Sequence, residues 1–324
     1  MAKQTTYGKA FEYACLISLY NRYSPAQSVI IHESPQYDTA KSKFFSLDAA
    51  IKSRLIRAAR AACVIIDRLE PQLNYPSAGT SPLVLSLQAD EAGQKGDVRD
   101  VICLRKGNNW EIGLSCKHNH EAVKHSRLSA TINFGKDWFG KNCSNEYFGK
   151  VVPIFNKLGE LRALGRSQNR PIMWRDLPDK FDSYYVPILE AFMQELKRID
   201  SQYPNEIPAK LVEYLLGKND FYKVITDDAF SITKVQVINL YGTLYRNSGR
   251  HKSIGYSSSL RKPTRFFHIG FKPNSKNIIE VICDEGWNIS MRIHNASSEV
   301  EPSLKFDVQL EALPSSVHTE IEPW

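Results

Sequence analysis

The stretch from residue 110 to 117 constrains this chain more than any other, because it alternates without a break. Trp110, Ile112, Leu114 and Cys116 fall on one face of an extended strand, and Glu111, Gly113, Ser115 and Lys117 fall on the other. Residues 101–104 (Val-Ile-Cys-Leu) read as a second strand, and Lys106-Gly107-Asn108-Asn109 between the two reads as a hairpin turn. An antiparallel pairing then sets Asp100, at the head of the first strand, beside Lys117, at the end of its partner. A carboxylate and an amine meet at one end of a sheet.

Around this hairpin the apolar spacing of residues 9–23 predicts an amphipathic helix that ends at Ser24-Pro25, and an Ala- and Arg-rich helix is expected over residues 47–69. A short strand over 83–88 leads into the hairpin, and a helix is expected to begin near Glu121, directly after it. Residues 142–217 look mainly helical. From residue 235 onward, five alternating or β-branched runs (235–240, 266–271, 278–283, 289–294 and 304–310) predict a β-rich part. The expected fold is α/β, a mixed sheet core flanked by helices, with domains at 1–234 (a core with a helical insertion) and 235–324 (a β-rich part).

The 324 residues, 42% hydrophobic, are enough to bury a large core, and no apolar run approaches the length of a membrane span. The N-terminus lacks the apolar centre of a signal peptide, so the cytoplasm is the expected location and no membrane partner is expected. The six cysteines are scattered among apolar neighbours and read as reduced, buried thiols. Cys116, His118 and His120 alternate as metal ligands do, but no distant ligand pair accompanies them and zinc is not expected.

A net charge of +7 permits a polyanionic partner, and the basic side chains are concentrated in two places, residues 117–127 and 246–265. The second holds Arg250, Lys252, Arg261, Lys262 and Arg265 among glycines and serines. Both stretches have the composition to follow a phosphate backbone, although a solvated helix face and a surface loop account for them equally well.

An acid at the head of one strand, followed by acid-x-Lys on the next, is the signature of PD-(D/E)xK nucleases, and the hairpin resembles it through Asp100 and Ser115-Cys116-Lys117. A closer resemblance, over most of the chain, is to type II restriction endonucleases of the HaeIII group. It runs through residues 96–101 (Gly-Asp-Val-Arg-Asp-Val), 115–120 (Ser-Cys-Lys-His-Asn-His), 122–129 (Ala-Val-Lys-His-Ser-Arg-Leu-Ser) and a distal stretch from Asp284 to Asp307. The acid-x-Lys pattern alone is weak, whereas the long basic run after Lys117 is specific. The resemblance implies a restriction-endonuclease-like mixed-sheet core, with the β-rich part 235–324 serving target recognition or DNA contact, and Mg²⁺-dependent cutting of double-stranded DNA at GGCC, with blunt ends, a twofold dimer or a monomer acting twice, and a cognate methyltransferase in the same system.

Phosphodiester hydrolysis needs hard oxygen ligands for the cation and a charge to stabilise the attacked phosphate. Asp100 is the expected metal ligand and Lys117 the expected phosphate or water contact. Asp97, three residues earlier, points to the opposite face of a regular strand and is left for a turn or an outer contact. Ser115 stands where such nucleases carry a second acid, and a neutral hydroxyl is a poor replacement. Glu111 lies roughly 13 Å along the strand, too far for the same ion. The resemblance directs attention instead to Glu12, in an early Gly-x-x-x-Glu beginning at Gly8, with Glu121 as a further candidate.

The letters His118-Asn119-His120 resemble an HNH motif, whose residues are in fact dispersed over a ββα unit. The HaeIII-group resemblance implies that Asn119, His120, Lys124, His125 and Arg127 lie near the scissile bond, and Arg250, Arg261 and Arg292 are candidate base readers. A non-catalytic DNA-binding protein that lost its carboxylate at residue 115, and a repair or RNA-processing nuclease, are the competing readings.

Overall fold

The structure, a computed structural model, describes residues 2–74, 81–89, 96–120, 122–244 and 259–324. The chain forms two compact units, each drawn from separated segments. The first comprises Met1–Glu121, Gly217–Leu260 and Ser315–Trp324, and the second Ala122–Leu216 and Arg261–Pro314.

A seven-stranded mixed sheet organises the first unit, in the order β1 (Val29–His32), β2 (Leu83–Leu87), β3 (Val101–Arg105), β4 (Trp110–His118), β6 (Phe221–Asp227), β7 (Ile232–Ile238) and β12 (Thr319–Pro323). The β1–β2 and β4–β6 pairs are parallel and the others antiparallel. Alternation assigns the faces as expected: Ile112, Leu114 and Cys116 of β4 join Val101 and Cys103 of β3 and Val224 of β6 in the buried core. Helix α1 (Ala2–Tyr23) adds Phe11, Ala14, Cys15 and Leu19 to that core, and α3 (Ala49–Leu69) adds Leu55, Ile65 and Ile66. Asp48 caps α3 through Ile51 N at 2.9 Å. Between them, α2 (Pro35–Phe45), started by the Ser34 cap and a first-turn proline, was not anticipated from the sequence. A short α4 (Pro71–Asn74) follows α3.

The second unit carries a five-stranded antiparallel sheet in the order β5 (Arg127–Ser129), β11 (Ser303–Ala312), β10 (Asn288–His294), β9 (Ile278–Cys283) and β8 (Phe266–Phe271). Its helices are α5 (Phe134–Phe139), α6 (Asn145–Ser167), α7 (Val186–Gln202) and α8 (Ile207–Leu216). Phe134, Trp138, Phe192 and Phe306 interlock at its centre with ring separations of 4.6–6.4 Å.

Two expectations are corrected. No helix follows β4 over residues 122–126, because that backbone bonds to β11: Val123 N and Val308 N donate to Val308 O and Lys124 O, and Phe306 N donates to Ser126 O. The division at residue 234 also differs from the compact units, since it falls inside β7, whose ladders with β6 and β12 belong to the first sheet. All six cysteines are free and buried. Among the described residues no helix is long and apolar enough to cross a membrane.

Arg105 ends β3 with its side chain buried, and its guanidinium donates to Gln72 O, Ser81 O, Leu73 O and the Gln27 side chain. Arg105→Met leaves these carbonyls without a donor, and we expect a loss of about 3 kcal/mol or more in urea denaturation, since each orphaned buried polar group costs about 1–3 kcal/mol.

Candidate active site

The β3–β4 hairpin fixes Asp100 through its backbone before its side chain acts. Asp100 N donates to Leu114 O at 2.7 Å and Asp100 O accepts from Gln88 N at 2.9 Å, so the residue is held between β2 and β4. Its carboxylate accepts from Cys116 N at 2.6 Å and lies 3.7 Å from the Lys117 ammonium. The acid and amine predicted to meet at the sheet end do so.

Helix α1 delivers a third charged group. Glu12 sits on the buried side of the helix, only 8% exposed, with Lys9 Nζ one helical turn away donating to it at 3.0 Å. Burial and then the nearby Asp100 carboxylate push the Glu12 carboxyl up to about 8, against the opposing pull of Lys9 and Lys117. Two carboxyls therefore share one small region with two ammonium groups. Among the described residues no group of three or more His, Cys, Asp or Glu side chains is arranged to hold a metal ion.

Ser115 is buried on β4 and faces Lys223 of β6 in the parallel ladder. Lys223, itself buried, was not singled out from the sequence, although a lone lysine inside Phe221-Tyr222-Lys223-Val224-Ile225 was the available signal. Asp97 does not join Asp100. It chelates Arg99 at 2.7 and 2.8 Å, and Arg99 also donates to Glu111 at 2.6 Å. Arg99 lies across Gly113, where an added Cβ would come within 2.1 Å of its Cδ. The absence of a side chain at residue 113 lets this arginine brace the turn that presents Asp100.

His118 ends β4 on the same face as Leu114 and Cys116. Tyr7 and Phe11 of α1 pack on its ring at 5.4 and 6.4 Å, and its Nε2 lies 3.2 Å from Asp228, just past β6. Burial holds its pKa below the usual imidazole value. Asn119 continues the β4–β6 ladder through Thr226 O and accepts from Asp228 N at 2.9 Å through its side-chain oxygen. That oxygen serves the fold. His120 lies half-buried just beyond, and Glu121 and Arg250 lie outside the described residues.

The model of the HaeIII restriction endonuclease family matches residues 8–314. The chain is also 40% identical over 322 residues to the type II restriction enzyme HaeIII of Haemophilus aegyptius, covering 99% of this chain and 98% of that enzyme. This chain belongs to the HaeIII restriction endonuclease family. As a HaeIII-family enzyme it is a type II restriction endonuclease, a site-specific deoxyribonuclease that acts on DNA. No solved structure matches it.

The remaining candidates of this HaeIII-family chain lie in the second unit. Lys124 donates to Tyr214 O at 2.8 Å and rests 3.6 Å above the Tyr214 ring, whose other neighbour is Trp138, stacked at 4.6 Å. Its amine is engaged in the fold, and burial lowers it to about 8. His125 is exposed 3.6 Å from Asp307, and Arg292 donates to the same carboxylate at 3.0 Å. Arg127 reaches Ser303 Oγ at 3.0 Å and Glu301 at 3.6 Å, while Arg261 is 81% exposed, 3.8 Å from Glu285.

Gly113→Ala forces Arg99 off the strand; we expect about 1–3 kcal/mol of destabilisation, together with slower cleavage in a plasmid assay as Asp100 loses its brace. Lys124 releases its proton near pH 8 when folded but near 10.4 when unfolded, so the unfolded chain binds more protons in between and stability gains with rising pH. Lys124→Met should lack that gain when urea midpoints at pH 7.5 and 9.5 are compared with those of the parent.

Proposed function

We propose that this restriction endonuclease cuts duplex DNA with Mg²⁺ held by Asp100 and Glu12, with Lys117 on the attacked phosphate. The observation that carries this is the Glu12 carboxyl, buried beside Asp100 and driven up to about 8 with Lys117 close enough to oppose the shift. Two hard carboxylates suit Mg²⁺, which keeps waters and takes substrate phosphate oxygens as its other ligands. When bound, such a cation supplies neutralisation of the charge that builds on the phosphoryl oxygens.

The chain's own groups account for the rest. Cys116 N orients the Asp100 carboxylate. Lys117, 3.7 Å from that carboxylate, holds an ammonium for a phosphate oxygen and for orienting the attacking water. Water oxygen bonds to phosphorus as the bond to O3′ breaks, and the departing O3′ takes up a proton, leaving 5′-phosphate and 3′-hydroxyl ends. Ser115 contributes no charge to the cation, and Glu12 substitutes for the acid absent there.

The sequence resemblance supports GGCC as the target, cut between the central G and C to blunt ends. A palindrome is read most simply by a twofold homodimer, each copy attacking one strand. Asn119, His120, His125 and Arg127 are proposed substrate contacts, with Arg250, Arg261 and Arg292 as candidate donors to guanine O6 and N7. Host survival calls for a cognate methyltransferase that needs no stable complex with this chain. Buried free thiols fit action in the cytoplasm.

The test is incubation with plasmid of known sequence in Mg²⁺ or EDTA, with every end mapped: Mg²⁺-dependent blunt ends at GGCC are expected, and ends at any other sequence remove the GGCC assignment. Asp100→Ala and Lys117→Ala should each slow cleavage by at least about 100-fold while Ca²⁺-supported DNA binding persists. Glu12→Gln should raise the Mg²⁺ needed for half-maximal cutting. An unchanged requirement returns Glu12 to a purely structural role.

A further inference from the structure

On the outer face of the second unit's sheet, three basic residues occupy one row across three strands. Lys305 of β11 is directly opposite Arg127 of β5 on one side and His294 of β10 on the other. One step along β11, Asp307 is directly opposite Arg292. Alternation places these residues together on the face away from Leu304, Phe306 and Val308, which are fully buried. His125 approaches from the segment that precedes β5, 3.6 Å from Asp307.

Such a row contradicts the rule by which sheets are stabilised. Opposite charges favour a directly opposed cross-strand pair and like charges disfavour it, yet Lys305 has the Arg127 guanidinium directly opposite on one side and an imidazole, not an acid, on the other. Its ammonium is held below the usual lysine value by burial and then by Arg127, with Asp307 opposing, and the His294 imidazole is lowered by burial and also by Arg292 and Lys305. Among the described residues two acids temper the row, Asp307 beside Arg292 at 3.0 Å and Glu301 beside Arg127 at 3.6 Å. A local arrangement that opposes the fold points to a function that compensates.

We infer that the Arg127–Lys305–His294 row, continued by Arg292 and His125, is a duplex-DNA contact surface, with Lys305 and Arg127 on backbone phosphates. A polyanion converts the mutual repulsion of the row into attraction, and neighbouring strands about 4.8 Å apart set its basic side chains next to one another on a single face. Lys305 and His294 thereby join the DNA contacts expected from the sequence. The inference rests on duplex DNA being the substrate and does not depend on which groups hold the metal.

Lys305→Gln tests it through two readouts that move in opposite directions. The first is binding of a duplex carrying one GGCC, and of a scrambled duplex, measured in Ca²⁺ over a range of salt. Both affinities should fall, and the slope of log K against log salt should shrink by about 0.9 for the lost phosphate contact. The second is the urea midpoint of the free protein, which should rise because the repulsion at the row is relieved. Lys305→Arg should keep the parental slope. An unchanged salt slope overturns the inference, as does a lowered urea midpoint with the binding loss, which marks Lys305 as a packing residue. A failure of the metal assignment would show instead in Glu12→Gln and leave the salt slopes as expected.

Discussion

Everything at the candidate active site depends on a carboxyl placed on the buried face of a helix. Glu12 lies among Phe11, Ala14 and Cys15, where water is scarce, and its charge is opposed both by that burial and by Asp100. Lys9 and Lys117 offset part of the conflict. The arrangement is tense without a further positive charge and is relieved by one. The rest of the first unit holds this geometry: β2 and β4 clamp the Asp100 backbone, Arg99 braces its turn across Gly113, and His118 ties the end of β4 to both α1 and Asp228.

The substitution at residue 115 becomes intelligible in the same terms. A second acid there would sit on the strand beside Asp100; the carboxyl that interacts with Asp100 in this structure, Glu12, comes from helix α1. Position 115 is left to a small hydroxyl facing Lys223. The chemistry needs charge at a point in space, and the chain has more than one backbone element from which to supply it. For the same reason the letters of a strand motif under-report what a nuclease site contains.

Features written in local periodicity were legible before any coordinates. The alternation from Trp110 to Lys117 carries the strand, its faces and the meeting of Asp100 with Lys117, whereas Glu12 in Gly8-x-x-x-Glu12 is singled out only by the family resemblance. Features that depend on distant partners were not legible. The sequence leads to the expectation of a helix from near Glu121, but the backbone of residues 123–126 finds β11, nearly two hundred residues later. Lys124 was read as a phosphate contact, and only tertiary structure shows its amine seated on Tyr214. His118 and Asp228 are joined by folding alone, as are the opposed basic residues of β5, β11 and β10.

The interleaved path of the chain sets a schedule for synthesis. β4 is made early, but its parallel neighbour β6 emerges only after the helices of the second unit, and β12 closes the sheet with the last residues of the chain. At translation rates of roughly 5–20 residues per second, a nascent chain carries Glu12, Asp100 and Lys117 for several seconds with β4 still an open edge and with no Asp228 for His118 to grip. The sheet that carries Asp100 and Lys117 is thus incomplete until the segments that follow the second unit's helices and its β-strands have been made.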